Sequence, residues 1–434
     1  MRAHGDPDRG AGRRPRRALA AAAAGVVLVA ASCSDGGGEA SSDTTAGAGG
    51  DDVEQALGPD DPASGESVRI GLVSDGQSAA FDARTEIYAA QATVDYWNAH
   101  RGGVGGRPIE LVTCETGADP GAGTDCANQM VEDQVVAVAI GQSTVPDTIW
   151  EPLHQSGVPT MFFQTNGDRI LADAESSFVI SNPLTTAFGL PISVAQDEGA
   201  DEVAFVVIDV PVAVNLFETL GPPIMENAGL DYEIVKVPLG TPDLTSQMSD
   251  IVDSGAGVVH VVGNDALCIA AIQGLAAVGY EGEVTAVSQC ITDATRDALP
   301  GEQLEGTFVT SGVAVGAADD PTYQLYEAVV SAYGHDVDVE NNVSMVGYTV
   351  TAALATSLDG ITGDITPATV TEAIKAMPEA ELPGGGGVRF RCGGSSMATN
   401  PALCSNQWLR ATLDAHGEPA SYDAVDSTDI LEGL

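Results

Sequence analysis

Basic residues are scarce in this sequence of 434 residues, and lysine is nearly absent. Only 17 Lys and Arg accompany 62 Asp and Glu, which gives a formal net charge of −45 at pH 7. The lysines are Lys236 and Lys375. Such a negative surface repels phosphate groups, so nucleic acids and anionic lipid headgroups are excluded as binding partners.

The sequence also lacks the motifs of common hydrolases, metalloproteases and nucleotide-binding proteins. It has no Gly-x-Ser-x-Gly elbow, no His-Glu-x-x-His helix and no Gly-Lys phosphate loop. The histidines are scattered without metal-ligand spacing, and His260 lies in an apolar run that favours a core position. We therefore predict a protein that is not an enzyme and that has no metal site and no cofactor. The alternative is an anchored extracellular enzyme whose catalytic groups are distant in sequence.

One apolar run, residues 18–31, follows four arginines at positions 13, 14, 16 and 17 and precedes Ser32 and Cys33. This arrangement is typical of an export signal. The ending AASC resembles the lipobox of bacterial lipoproteins, in which the peptide is cut before the cysteine and the thiol carries lipid. We predict a signal peptide at 1–32, lipidation of Cys33 and anchoring to the outer face of the cytoplasmic membrane. An ordinary secretory signal and a transmembrane anchor are the alternatives, although a membrane helix needs ~20 apolar residues.

Six further cysteines form three couples that are close in sequence. None has the C-x-x-C spacing of a zinc or redox site, and an exported chain favours disulfides over free thiols. We therefore predict the bonds Cys114–Cys126, Cys268–Cys290 and Cys392–Cys404, with a structural role.

Residues 33–66 are mostly Gly, Ser, Thr, Ala and Asp, with few large apolar side chains. This composition buries too little apolar surface to offset the entropy lost on ordering. We therefore predict a disordered tether over 33–66, followed by the folded part of the chain.

From residue 68 onward, short apolar runs alternate with segments of helical period. The predicted strands are 68–73, 109–113, 135–140, 158–163, 203–208, 232–237, 257–262 and 283–287. Continuous apolar strands between amphipathic helices indicate parallel sheets that are covered on both faces. Because the pattern restarts near residue 187, we predict an α/β fold with two doubly wound parallel-sheet lobes and a β-rich tail at 388–413.

Three stretches resemble a known family. They are NAHRGGVGGRPIELV at 98–112, DLTSQ at 243–247 with DSGAG at 253–257, and GLAAVGYEG at 274–282. Their order and spacing are similar to those of type I periplasmic binding proteins, specifically the branched-chain amino-acid-type (leucine-binding-protein-like) substrate-binding proteins of ABC importers. The resemblance covers most of residues 68–413.

The resemblance implies two lobes that are joined by a three-strand hinge and close on a solute. Lobe 1 would contain residues 67–183 and 311–385, and lobe 2 residues 184–310 and 386–430. The hinge crossings would lie near 182–184, 310–313 and 383–388. The implied function is an extracytoplasmic receptor that delivers a small amino-acid-like or carboxylate solute to ABC permease subunits. A ligand sensor of the same fold is the alternative.

The resemblance places the first-lobe ligand groups in loops that follow three strands. The candidate residues are Asp75, Gln142, Ser143, Thr144, Gln164, Thr165 and Asn166. Hydroxyls and free N–H groups at a helix start suit a carboxylate. Structural roles are the alternatives: Asp75 stabilises a turn, Ser143 or Thr144 caps a helix, and the amides support loops.

The second-lobe candidates depart from the family pattern. The family often has Asp-x-x-x-Tyr-Gly after the first strand of this lobe, whereas this chain has DVPVA at 209–213, which keeps only Asp209. The family's acid for an α-ammonium aligns near Gln289, which is uncharged, and Asp265 is the nearby acid that would replace it. Because a buried ammonium needs a paired charge, we expect a ligand other than a standard branched-chain amino acid.

Overall fold

Two β-sheets organise the chain. The computed structural model describes residues 50–78, 81–394 and 396–431. The first sheet contains the parallel strands β1 Val68–Ser74, β2 Ile109–Glu115, β3 Val138–Ile140, β4 Thr160–Gln164 and β5 Ser177–Ser181. The second contains β6 Glu202–Ile208, β7 Asp231–Val237, β8 Val258–Val262, β9 Glu283–Ala286 and β10 Phe308–Ser311. Strands β11 Ala380–Glu381 and β12 Arg389–Phe390 form a separate antiparallel pair, and β13 Gln407–Leu413 and β14 Pro419–Asp426 extend the second sheet.

The two sheets share one strand order. The first sheet runs β2-β1-β3-β4-β5, and the second runs β7-β6-β8-β9-β10 before the antiparallel β13 and β14. This is the order of doubly wound α/β folds, in which ligands bind outside the carboxyl ends of the strands where the order reverses. The predicted fold class is therefore confirmed, and β14 is a strand that the sequence analysis did not predict.

Fourteen α-helices connect and cover the sheets in the described residues. They are α1 Gly50–Leu57, α2 Arg84–His100, α3 Pro120–Glu132, α4 Pro146–Gln155, α5 Asp168–Leu171, α6 Leu190–Glu198, α7 Pro211–Ala228, α8 Thr245–Ser254, α9 Asp265–Val278, α10 Asp293–Ala298, α11 Pro321–Tyr333, α12 Asn342–Ser357, α13 Pro367–Ala376 and α14 Thr428–Leu431. Helices α2 and α12 pack together on one face of the first sheet, and α3 packs on α4 at the other. In the second sheet's layers, α8 packs on α9 and α14 on α7.

The inner strands β3, β4, β6 and β8 are buried on both faces, as their continuous apolar sequences predict, whereas the edge strands β2, β7 and β14 are partly exposed. In β1, Leu72 contributes to the core beneath α2 and α12, whereas Val73 contributes to the core beneath α3. His260 of β8 is fully buried, and its Nδ1 lies 2.8 Å from Oγ1 of Thr285. Burial lowers the pKa of His260 to about 3, so the imidazole is neutral at physiological pH. Its predicted core position is confirmed.

The three predicted disulfides are present in the structure. They join Cys114 to Cys126, Cys268 to Cys290 and Cys392 to Cys404. The first connects β2 to α3, and the second connects α9 to the turn after β9.

The prediction of a disordered tether over residues 33–66 is wrong for residues 50–66. Val53, Ala56 and Leu57 share one face of α1, which packs against α11, and Leu57 is only 8% exposed. The following segment is held by backbone hydrogen bonds, including Ala63 N to Asn98 O at 2.8 Å. Three apolar side chains at helical spacing therefore suffice to dock a segment of otherwise polar composition.

The third connection between the sheets lies later than predicted. Residues 383–388 form the turn between β11 and β12, where Gly384 and Gly387 have φ angles of 69° and 91° that favour glycine. The chain then runs beside β5, where Val179 N donates to Ala402 O and Cys404 N donates to Val179 O, both at 2.8 Å. Residues 386–404 therefore accompany the first sheet, and the crossing to β13 is at residues 405–406.

Candidate functional site

The candidate residues lie at the carboxyl ends of the strands in both sheets. In the first sheet they occupy the loops after β1, β3 and β4, and in the second sheet the loops after β6, β8 and β9. These are the positions at which doubly wound sheets bind ligands. None of the six loops (74–78, 141–145, 164–167, 209–210, 263–265 and 287–290) contains a Lys or an Arg.

Asp75 is turned into the protein and links three loops. Its side chain is fully buried, and Oδ2 accepts the backbone N–H of Thr144 at 2.7 Å. Oδ1 accepts the hydroxyls of Thr116 at 2.7 Å and Ser143 at 3.3 Å. This geometry favours a structural role for Asp75 over the predicted ligand contact. Asp75 stabilises the loops after β2 and β3 as well as its own turn.

A second buried carboxyl, Glu86, was missed by the sequence analysis. It lies in the first turn of α2, and Oε1 accepts the backbone N–H of Gln142 at 2.7 Å. Oε2 accepts the hydroxyl of Ser74. The pKa of Glu86 is raised to about 8, mainly because burial disfavours the charged form. The two hydrogen bonds lower the pKa, but by less than burial raises it, and the charge of Asp75 adds to the increase.

The helical spacing of α2 indicates that Glu86 is buried. Positions 86, 90, 94 and 97 share one face of this helix, and Ala90, Val94 and Trp97 are all buried. A glutamate in line with three core residues points to a buried carboxyl with a specific partner.

Four first-sheet candidates present exposed polar side chains. Gln142 and Thr144 follow β3, whereas Gln164 ends β4 and Asn166 follows it. Within the part of the chain that the structure describes, these four side chains make no hydrogen bond to another protein group. A solute outside the strand ends can therefore contact them without breaking one.

The other two first-sheet candidates bond to their own loops. The Ser143 hydroxyl accepts the N–H of Val145 at 3.1 Å just before α4, and buried Thr165 accepts the N–H of Gly167 at 3.1 Å. Ser143 thus supports the turn before α4, but neither Ser143 nor Thr144 caps this helix, because its N-cap is Val145 and has no side-chain hydrogen bond.

The second sheet contributes two acids and an amide. Asp209 is exposed between β6 and α7, and Gln289 is exposed in the short 3₁₀ turn Ser288–Cys290. Asp265 is half-buried at the first position of α9, where its Oδ1 accepts the N–H of Ala266 at 2.9 Å. Asn264 is the N-cap of this helix and accepts the N–H of Leu267 at 3.1 Å. The second sheet thus offers carboxylates where the first offers amides and a hydroxyl.

A basic group that follows the first of these loops is already paired. Arg84 at the start of α2 contacts Asp82 with Nη2 to Oδ2 at 2.6 Å. Hydrogen bonds from Arg84 lower the pKa of Asp82 to about 2, so this pair remains ionised. The strand-end loops therefore offer neutral hydrogen-bond donors and acids, and they contain no basic side chain of their own.

The periplasmic binding protein family model matches residues 67–402 of the chain. The chain belongs to this family. Membership of this family sets the enzyme alternative aside. No curated protein matches the sequence.

Solved structures show the same fold at low sequence identity. An ABC transporter protein from Rhodospirillum rubrum, provisionally assigned to branched-chain amino acids, matches with a TM-score of 0.68 and 18% identity, covering 83% of this chain and 100% of that one. The branched-chain amino acid substrate-binding protein LivJ from Streptococcus pneumoniae, in complex with isoleucine, matches with a TM-score of 0.59 and 13% identity, covering 83% and 99%. A solute-binding protein from R. palustris in complex with 4-hydroxybenzoate matches with a TM-score of 0.60 and 18% identity, covering 83% and 97%.

Among the described residues, no helix combines the length and the apolar character needed to cross a membrane. The predicted signal peptide at 1–32 and the lipidation site Cys33 lie outside the described residues.

Proposed function

We propose that the receptor binds an amino-acid-like or carboxylate solute between the carboxyl ends of its two sheets. The observation that carries the proposal is the complementary set of polar groups at the strand ends. Gln142, Gln164 and Asn166 offer amide N–H donors to ligand oxygen atoms, and Asp209 and Asp265 offer carboxylates to a ligand amine. The isoleucine and 4-hydroxybenzoate complexes of the two similar structures support these two ligand classes.

Lobe closure would transmit ligand binding to the permease subunits. Lobe 1 would comprise residues 67–183 and 311–404, and lobe 2 residues 184–310 and 407–430. The backbone hydrogen bonds of Val179 with Ala402 and Cys404 support this division, because they join the segment 386–404 to β5 of the first sheet. Closure around a solute buries the strand-end loops of both lobes and creates the loaded form of the receptor.

The receptor would be held at the outer face of the cytoplasmic membrane by lipid on Cys33. The sequence pattern of 1–33 supports this step. Intact mass measurement of the protein from its native membrane tests it: an N-terminal, lipid-modified Cys33 is expected, and a Cys33→Ala variant should be found in the soluble fraction. An unmodified, soluble wild-type protein would contradict the anchor.

Thermal melting with isoleucine, leucine, valine and 4-hydroxybenzoate tests the ligand class. A ligand at 100 times its Kd stabilises the fold by ~2.7 kcal/mol, which raises Tm by a few degrees. A shift with an amino acid that is lost in Asp265→Asn would assign Asp265 to the amine. A shift with 4-hydroxybenzoate that persists in this variant would assign a carboxylate ligand instead. No shift with any of the four compounds would count against both classes.

A further inference from the structure

Glu86 lies directly beneath the loop that supplies Gln142 and Thr144. A side chain at the third position of a helix commonly reaches back to the N-cap N–H. Here the N-cap is Ala83, and its N–H donates to Gly76 O at 2.8 Å instead. The Glu86 carboxyl is thereby left to reach across to the loop after β3.

Two glycines allow close packing against Glu86, one at its carboxyl and one at its backbone. A Cβ at Gly141 would lie 1.5 Å from Glu86 Oε1, so any other residue there would displace the carboxyl or the loop. A Cβ at Gly347 of α12 would lie 2.3 Å from the Glu86 backbone oxygen, so α12 can seal this position only with a glycine. The carboxyl is therefore enclosed by loop and helix, with no solvent exposure.

The loop after β3 is fixed at two alternate residues, Gln142 and Thr144. Glu86 holds the N–H of Gln142, and Asp75 holds the N–H of Thr144. These are main-chain donors that a ligand carboxylate would otherwise use at the start of α4. With both N–H groups engaged internally, the loop presents its side chains to a ligand.

We propose that Glu86 is a positioning residue for ligand recognition: it holds the backbone of Gln142 so that the side chains of Gln142 and Thr144 face the solute. The proposal rests on the proposed function for the location of the ligand. It predicts that recognition at this loop uses the Gln142 amide and the Thr144 hydroxyl rather than main-chain N–H groups. This role requires a hydrogen-bond acceptor at position 86, to which the N–H of Gln142 can donate.

Two variants separate this role from general packing. Glu86→Gln keeps an oxygen that can accept from Gln142 N and an amide that can donate to the Ser74 hydroxyl. Glu86→Met has similar length and removes the acceptor. Glu132→Met, at an exposed position of α3, is the control for the same substitution elsewhere in the lobe.

Site-resolved hydrogen exchange at pH 7 measures the effect in the whole protein without any ligand. We expect Glu86→Met to speed exchange of the Gln142 amide by about tenfold, since one buried hydrogen bond is lost, while Thr144 is unchanged. Glu86→Gln and Glu132→Met should match wild type. Unchanged exchange at Gln142 in Glu86→Met would overturn the proposal, as would an equal increase at Thr144 and at core amides such as Val207.

Affinity for isoleucine and 4-hydroxybenzoate supplies the functional measurement. Kd for the compound that binds wild type should rise about tenfold in Glu86→Met and stay within about twofold in Glu86→Gln, because one loop hydrogen bond sets the difference. Equal Kd values in wild type and Glu86→Met would overturn the positioning role. If neither compound binds wild type, the ligand class fails, whereas the exchange measurement still decides the role of Glu86.

Discussion

The side chain of Asn182 donates from Nδ2 to Oδ1 of Asn406 at 3.0 Å, across 224 residues of sequence. Asn182 lies in the first connection between the sheets, and Asn406 lies in the third. Thr310, near the end of β10, lies just before the second connection, and its hydroxyl is 3.2 Å from that of Thr186, just after the first connection. Hydrogen bonds therefore join the first connection to the third and to β10, the strand that leads into the second.

Asn182→Ala should lower the free energy of unfolding by about 2 kcal/mol, because it leaves buried polar groups without partners. The groups are Oδ1 of Asn406 and the N–H of Leu184, which donates to Asn182 Oδ1 at 3.0 Å. Urea denaturation measures the change. Asn166→Ala, at an exposed position, should stay within about 0.5 kcal/mol of wild type. Equal stability of Asn182→Ala and wild type would show that water replaces this link.

Leu57→Ala should destabilise the protein by about 2 to 3 kcal/mol, because it removes a buried side chain between α1 and the lobe core. Glu54→Ala, on the exposed side of the same helix, should have little effect. Thermal melting of both variants measures the difference. If Leu57→Ala melts like Glu54→Ala, α1 does not contribute to the stability of the folded protein in solution.

Strong local patterns predicted most of the fold. The run VAFVVI predicted β6, and α13 begins with a usual helix-start pattern, in which Thr366 accepts the N–H of Thr369 and Pro367 takes the first position. Helix α7 was missed because Pro222 and Pro223 lie inside it and helix interiors disfavour proline. Tertiary packing of its buried face, which includes Phe217, offsets that preference.

The site was predictable in place but not in detail. The family resemblance placed Asp75, Gln142 and Gln164 in loops at the carboxyl ends of strands, and the structure has them at the ends of β1, β3 and β4. Whether a loop carboxylate faces the solute or the protein depends on hydrogen-bond donors that are distant in sequence. The carboxylate of Asp75 is buried because it accepts hydrogen bonds from Thr116 and Thr144. The internal bond of Glu86 to Gln142 spans 56 residues, beyond the reach of any local pattern.

Replacing both Cys268 and Cys290 by serine should lower the free energy of unfolding by about 3 kcal/mol, because the bond closes a loop in the unfolded chain. The two cysteines are separated by 22 residues. Denaturation of the double variant is compared with that of wild type under oxidising conditions. If the Cys268–Cys290 bond alone is reduced in wild type, the free energy of unfolding should fall close to that of the variant. An unchanged unfolding midpoint would mean that native-state strain cancels the gain.

Asp75→Ala should cost about 3 kcal/mol, because the buried N–H of Thr144 and the hydroxyls of Thr116 and Ser143 lose their acceptor. Asp75→Asn should cost less, since its amide can satisfy part of this set. Asp209→Ala should leave stability within about 0.5 kcal/mol of wild type, since Asp209 is exposed. Urea midpoints measure all three. A stable Asp75→Ala variant would show that the three loops do not depend on this carboxylate.

The pKa of Glu86 predicts a specific pH dependence of stability. The ordinary pKa of 4.5 is raised to about 8 in the folded protein, with burial as the main cause and Asp75 as the neighbouring charge. Between these two pH values the folded state holds a proton that the unfolded state has released. The Glu86 contribution to the free energy of unfolding is therefore complete below pH 4.5 and is lost as the pH rises to about 8.

Glu86→Gln removes this titration while it keeps the shape of the neutral acid. Because all other groups are shared, the stability of wild type minus that of Glu86→Gln should fall by several kcal/mol from pH 5 to pH 8. Urea denaturation across this range measures the difference. The same subtraction for Glu132→Gln should be flat, since Glu132 is exposed. A flat difference for Glu86→Gln would mean that water or a local rearrangement solvates the carboxylate, and the loop after β3 would then move with pH instead.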